Sequence, residues 1–103
     1  MSILEEWNRK QWEQMKEQSE ATAFYLYTPM CGTCAVASKM MEVIENVIPD
    51  IPIGKANINF LEDLAMELQI ESVPCLLISR NGVLQEKIYA FQSVQNIYEK
   101  LKK

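Results

Sequence analysis

Apolar residues recur along the chain with two different periods, and the alternation between them predicts the order of elements. Ile3, Leu4, Trp7, Trp12 and Met15 fall on one broad arc of a 3.6-residue wheel, with Gln11 near its middle. Ser2 followed by Glu5 has the spacing of a capping box, so a helix is expected from the first residues to about Glu17. "ATAFYLYT", at 21 to 28, is a compact aromatic and β-branched run that ends at Pro29 and reads as a strand buried on both faces. Ala37, Met40, Met41, Ile44 and Val47 then repeat at helical spacing and predict a helix over 35 to 47, stopped by Pro49 and Pro52. "IGKANI", 53 to 58, reads as a short strand. "LEDLAMEL", 61 to 68, reads as a short amphipathic helix with Leu61, Leu64, Ala65 and Leu68 facing inward. "CLLIS" at 75 to 79 and "VLQEKIY" at 83 to 89 flank Arg80-Asn81-Gly82; Asn-Gly supplies the positive φ angles of a tight hairpin, so these two strands are expected to be antiparallel. Ser93 is placed to cap a last helix that runs through Ile97 and Leu101 to a lysine-rich end suited to the helix dipole.

The order helix, strand, helix, strand, helix, hairpin, helix implies right-handed crossovers with parallel pairing early in the chain and an antiparallel edge at its close. An α/β fold is expected, with a mixed central sheet of four strands, five being the alternative, and helices on both faces. A length of 103 residues with 49% apolar content suits a single domain over residues 1 to 103 with no linker. Acidic residues outnumber basic ones 14 to 10, which argues against nucleic acid and anionic membrane as partners. No window has the length and apolarity of an export or spanning segment, so the expected location is the cytoplasm. Histidine is absent, which removes imidazole bases and every His-containing metal site.

Two of the three cysteines, Cys31 and Cys34, lie in "TPMCGTC", where the apolar run gives way to the helical pattern. In a reducing compartment a permanent disulfide is disfavoured, so such a pair suggests metal binding, dithiol redox chemistry or core filling. A helix starting at Cys31 would set its sulfur among unpaired N–H groups at the positive end of the dipole, which favours thiolate over thiol. Cys34, one turn on, lies on the same side and is more shielded. Cys31 is then the attacking thiolate and Cys34 the thiol that resolves a mixed disulfide. Acidity alone contributes little: moving any thiol from about 8.5 to about 7 raises its thiolate fraction at pH 7 roughly 16-fold, and a Brønsted slope of about 0.45 takes back roughly fivefold. Leaving-group quality, the proximity of the second thiol and substrate positioning must supply the rest.

"FYLYTPMCGTC" before a helix, then Val73-Pro74-Cys75, a strand, an Asn-Gly turn and another strand, resembles the thioredoxin family over nearly the whole chain. The resemblance implies a thioredoxin-like fold and a thiol-disulfide oxidoreductase that reduces protein disulfides through Cys31 and Cys34. It also implies a cis Val73–Pro74 peptide beside Cys31, along which a substrate segment pairs as a short strand. Thr28, Pro29, Met30, Gly32 and Thr33 around the motif, Val73 and Pro74, and Ala90 and Phe91 after the last strand are the implied substrate-binding residues. Met30 and Phe91 are equally readable as ordinary apolar residues. No cofactor and no metal ion is implied; the implied partners are disulfide-containing proteins and a thioredoxin reductase as electron donor, with the chain a monomer.

Several positions depart from the family pattern. Thr33 replaces the usual proline, which removes a φ restriction and adds a hydroxyl able to cap backbone or to sit near sulfur. Tyr25 stands where the family has a buried carboxylate, leaving Cys34 without an obvious base. Lys55 matches a family lysine near that position and would favour thiolate by charge, although a solvated strand lysine explains it equally well. Lys39 replaces a helix-kinking proline, so a straighter second helix is expected. Tyr89 replaces a glycine and reshapes the docking surface, and the family's first strand has no counterpart in the pattern. Cys75 reads as a small core residue or a regulatory thiol, the core being favoured because free cysteine is among the most buried residue types. The alternatives to the oxidoreductase are a non-catalytic thioredoxin-fold binding module, a glutaredoxin-like protein, and an iron–sulfur or zinc site, for which one chain supplies too few ligands.

Overall fold

The computed structural model describes residues 4–102. Strands β1 (Glu5–Glu6), β2 (Ala21–Tyr27), β3 (Ile53–Asn57), β4 (Cys75–Arg80) and β5 (Val83–Ile88) form one sheet in the order β1-β3-β2-β4-β5. β1 and β2 both run parallel to β3, whereas β4 is antiparallel to β2 and β5 is antiparallel to β4. Helices α1 (Arg9–Gln18), α2 (Gly32–Val47), α3 (Glu62–Glu67) and α4 (Val94–Lys102) cover the two faces, and a single 3₁₀ turn, Ile58–Phe60, follows β3.

The central strands bury both faces, as their continuous apolar runs require. Ala23 and Tyr25 of β2 and Leu76 and Ile78 of β4 point to one face, where Ala37, Met41 and Ile44 of α2 and Ile97 and Leu101 of α4 close over them. Phe24, Leu26, Cys75 and Leu77 point to the other, under Trp12 of α1 and Leu64 of α3. Cys75 is therefore a core residue with no exposed surface, and burial pushes its thiol up to about 12.

Two expectations change at the N-terminus. The sheet has five strands, the fifth being the two-residue β1, whose register pairs Glu5 with Gly54 and Glu6 with Lys55. The first helix starts at Arg9, with the capping box formed by Asn8 and Gln11: Gln11 N donates to Asn8 Oδ1 at 2.8 Å and Asn8 N to Gln11 Oε1 at 2.9 Å. Glu5 is in a strand, and Ser2 lies outside the described residues. The cause is the pairing itself, since Trp7 N donates to Lys55 O at 2.9 Å, which holds residues 5 to 7 extended along β3. The hairpin forms as expected, with positive φ at Asn81 (54°) and Gly82 (82°). Ser93 Oγ accepts from Asn96 N at 3.1 Å at the start of α4. With Lys39 in place of proline, α2 runs unbroken for 16 residues.

Candidate active site

The chain leaves the buried β2 at Tyr27, turns at Thr28–Met30 and enters α2, with Cys31 N donating to Thr28 O at 3.3 Å. Cys31 is the N-cap of α2, in extended backbone, and its sulfur accepts from Cys34 N at 3.2 Å. A sulfur thus takes the place normally filled by a capping oxygen, at the positive end of a long helix. The Thr33 hydroxyl lies 3.2 Å from the same sulfur, so of the two roles open to it the structure realises the one near sulfur. Hydrogen bonding by Cys34 and then by Thr33 holds the Cys31 thiol below its ordinary value. Cys34 behaves oppositely: it is 3% exposed, and burial, reinforced by the hydrogen bond to Cys31, raises its thiol. Both thiols are free.

Thr33 yields a direct prediction. Alkylation of Cys31 follows its thiolate, so its rate against pH has a midpoint below that of a free thiol. Thr33→Val removes the hydroxyl donor and moves the midpoint to higher pH, measurable by mass-resolved alkylation of the native protein. An unchanged midpoint would show that the hydroxyl does not act on the sulfur.

The Val73–Pro74 peptide is cis. Val73 O faces Cys31, whose S–H points to it at 3.9 Å. Thr33, Val36, Ala37 and Met40 on one side and Val73, Pro74, Tyr89, Phe91 and Gln92 on the other enclose a mainly apolar groove of about 460 Å³ beside the thiols. Gly32 is open, with nothing within 4 Å of where a Cβ would stand. Met30 is 95% exposed next to Cys31. Phe91 belongs to the core, edge-on to Tyr25 at 5.8 Å, and shows only part of itself to the groove. Ala90 is exposed but does not line the groove. Tyr89 lines the groove and its hydroxyl accepts from Glu71 N at 3.2 Å, which ties the end of β5 to the segment leading to Pro74.

Tyr25 lies under the pair, its hydroxyl donating to Cys34 O at 2.8 Å and lying 3.0 Å from Ser38 Oγ. Lys55 does not join this cluster. Its ammonium is 4.0 Å from Glu6 Oε2 and 5.8 Å from the centre of the Tyr27 ring, and Tyr27 Oη donates to the same carboxylate at 2.7 Å. Ser38 was not singled out in the sequence; its position one helical turn after Cys34 is the signal that could have found it. Val36 and Met40 carry the same kind of signal, lying on the turns of α2 that follow the motif.

A half-buried, acidified sulfur next to a shielded one, on the end of a helix packed against a mixed sheet, makes a candidate dithiol redox site in an α/β protein. The chain belongs to the thioredoxin family: the family model described as Thioredoxin matches residues 4–103. The thioredoxin-like protein YusE of Bacillus subtilis is 44% identical over 85 residues, 82% of this chain and 80% of that protein. Among solved structures, a thioredoxin mutant from Halobacterium salinarum superposes with a TM-score of 0.87 at 16% identity, over 96% of this chain and 87% of that one. Oxidised mitochondrial thioredoxin 3 from Saccharomyces cerevisiae gives a TM-score of 0.83 at 20% identity, over 97% and 93%. These two likenesses bear on the fold alone.

Proposed function

We propose that this chain is a thiol-disulfide oxidoreductase that reduces disulfides in protein substrates. The observation that carries this reading is the Cys31 sulfur in the N-cap position, accepting from Cys34 N and lying beside the Thr33 hydroxyl, with Cys34 one turn away. The Cys31 thiolate attacks one sulfur of a substrate disulfide, and the other sulfur leaves as a thiolate. Cys34 then displaces the substrate from Cys31, closing the Cys31–Cys34 disulfide, and two electrons have passed to the substrate. The groove and the backbone at Val73 offer the incoming chain an apolar wall and an acceptor carbonyl. Thr28, Pro29, Met30 and Gly32, next to Cys31 in the chain, are proposed to meet the substrate as well. Outside electrons must reopen the disulfide, for which a thioredoxin reductase is the proposed donor; the protein is proposed to act as a monomer, in the cytoplasm, and as one domain. Among the described residues no group of three or more Cys, Asp or Glu side chains is placed to hold a metal ion.

Cys34→Ser tests the sequence of steps. The variant can attack but not resolve, so mixed disulfides with substrate proteins should accumulate on Cys31 in cell extract and disappear on adding dithiothreitol. The unaltered chain should accelerate insulin reduction by dithiothreitol. An empty trap together with no acceleration would overturn the reading as a reductase of protein disulfides.

A further inference from the structure

Resolution requires Cys34 to lose a proton, and the structure shows what surrounds that thiol in the reduced protein. The titratable groups that act on Cys34 are Cys31 and Tyr25. In the mixed disulfide Cys31 carries no charge and no proton site. The Tyr25 hydroxyl is buried, which pushes its ionisation far upward, so it stays protonated throughout the working range and cannot serve as a base. On the elements packed against the same face, Glu6 of β1 accepts from the Tyr27 hydroxyl of β2 and pairs with Lys55 of β3. Tyr98 of α4 stands at the margin of this core and Lys39 of α2 is exposed. None of these contacts brings a carboxylate to Cys34.

The Tyr25 hydroxyl instead makes a fixed contact. It donates to the carbonyl of Cys34 itself and meets Ser38 Oγ, from the next turn of α2. Two hydroxyls, one from β2 and one from α2, thus fasten the first turn of the helix to the sheet at the residue that must move its sulfur towards Cys31.

Building on the oxidoreductase reading, we propose that Tyr25 and Ser38 are positioning residues for the resolving step, and that Cys34 gives its proton directly to hydroxide or water from solvent. Solvent base takes the Cys34 S–H proton, and the sulfur lone pair forms the bond to Cys31. The bond from Cys31 to the substrate sulfur breaks, and the substrate leaves as a thiolate that is protonated by solvent. Because Cys34 is almost wholly covered, only an acceptor as small as water or hydroxide reaches it, so buffer bases take no part.

Stopped-flow reaction of the reduced protein with an aromatic disulfide that releases a coloured nitrothiobenzoate separates the steps. The first release reports attack by Cys31, and the second, first-order release reports resolution. The second-phase rate should rise about tenfold per pH unit between about pH 6 and 8, without a plateau, and should not change with buffer concentration at fixed pH. Tyr25→Phe should lower the ratio of second-phase to first-phase rate about fivefold, as should Ser38→Ala to a smaller extent, while Ser38→Thr restores it. A plateau in that range, a dependence on buffer concentration, or a ratio unaffected by both Tyr25→Phe and Ser38→Ala would overturn the proposal while leaving the oxidoreductase reading intact. A missing second release would overturn the dithiol reading itself.

Discussion

Cys31→Ser should reduce disulfide-reductase turnover by on the order of 10³-fold or more, to the rate of dithiothreitol alone. The size of the effect follows from the absence of a substitute. Exchange requires a thiolate, and a serine hydroxyl is not ionised at neutral pH. Cys34 is 3% exposed and its thiol is raised by burial. Cys75 has no exposed surface and a thiol pushed up to about 12. Neither can meet a protein disulfide in the folded chain. The same reasoning separates the two active thiols: Cys34→Ser loses turnover but retains one round of attack, whereas Cys31→Ser loses both. The assay is insulin reduction followed by turbidity, with single-turnover release of a coloured thiol as the control for attack. If Cys31→Ser retained a tenth of the activity, another thiol would be doing the chemistry and the reading of the N-cap sulfur would fail.

What the sequence disclosed and what it hid divide along a physical line. Cys31 and Cys34 and the Asn81-Gly82 turn are local features, each fixed by a few adjacent residues, and the structure has a capping thiol and a hairpin at those positions; the cis Val73–Pro74 peptide was expected only through the family resemblance, because adjacent residues do not fix that isomer. The buried strands and the long second helix were equally legible, because many residues share one period. β1 was not, since two exposed glutamates carry no period at all and their extended conformation is imposed by β3 from the far side of the sequence. Its presence also explains the misplaced helix start: two capping signatures follow each other, at Ser2 and Asn8, and only pairing with β3 decides between them. Lys55 was a matter of register. It sits opposite Tyr25 in the ladder, yet its ammonium is drawn to Glu6 of β1, a residue expected to lie in a helix. The contact of Tyr25 with Cys34 and Ser38 depends on how α2 crosses β2, which no short stretch of sequence encodes.

Gly54→Ala should cost more stability than alanine at either of the other two glycines, Gly32 or Gly82. Gly54 is not among the residues with positive φ, so the backbone makes no demand for glycine. Space does: a Cβ built there overlaps the indole ring of Trp7, which lies flat on the strand. Trp7 is 6% exposed and stacks on Phe24, with centroids 5.8 Å apart and planes at 30°. Its backbone N–H also supplies the last bond tying the N-terminal segment to β3. The new methyl must therefore displace the ring from the core or push β3 away from it. Overpacking costs about 1–3 kcal/mol, and losing a buried tryptophan altogether costs about 3–5 kcal/mol. Alanine returns roughly 0.4–1 kcal/mol through the unfolded chain. The net is about 2–4 kcal/mol, which for a domain of this size lowers the melting temperature by roughly 10–25 °C. Because the clash involves one partner, Trp7→Ala should cost much less in the Gly54→Ala background than in the native one, with a coupling of about 1–3 kcal/mol in a double-mutant cycle. Gly54 lies opposite Phe24 of β2, on the strand that carries the chain to Cys31. Turnover at low temperature should nevertheless survive, since the thiols and the Val73 carbonyl are positioned by α2 and the segment before β4 rather than by β1. A Gly54→Ala protein melting within 2–3 °C of the parent, about half a kcal/mol, would mean that Trp7 does not rest on β3.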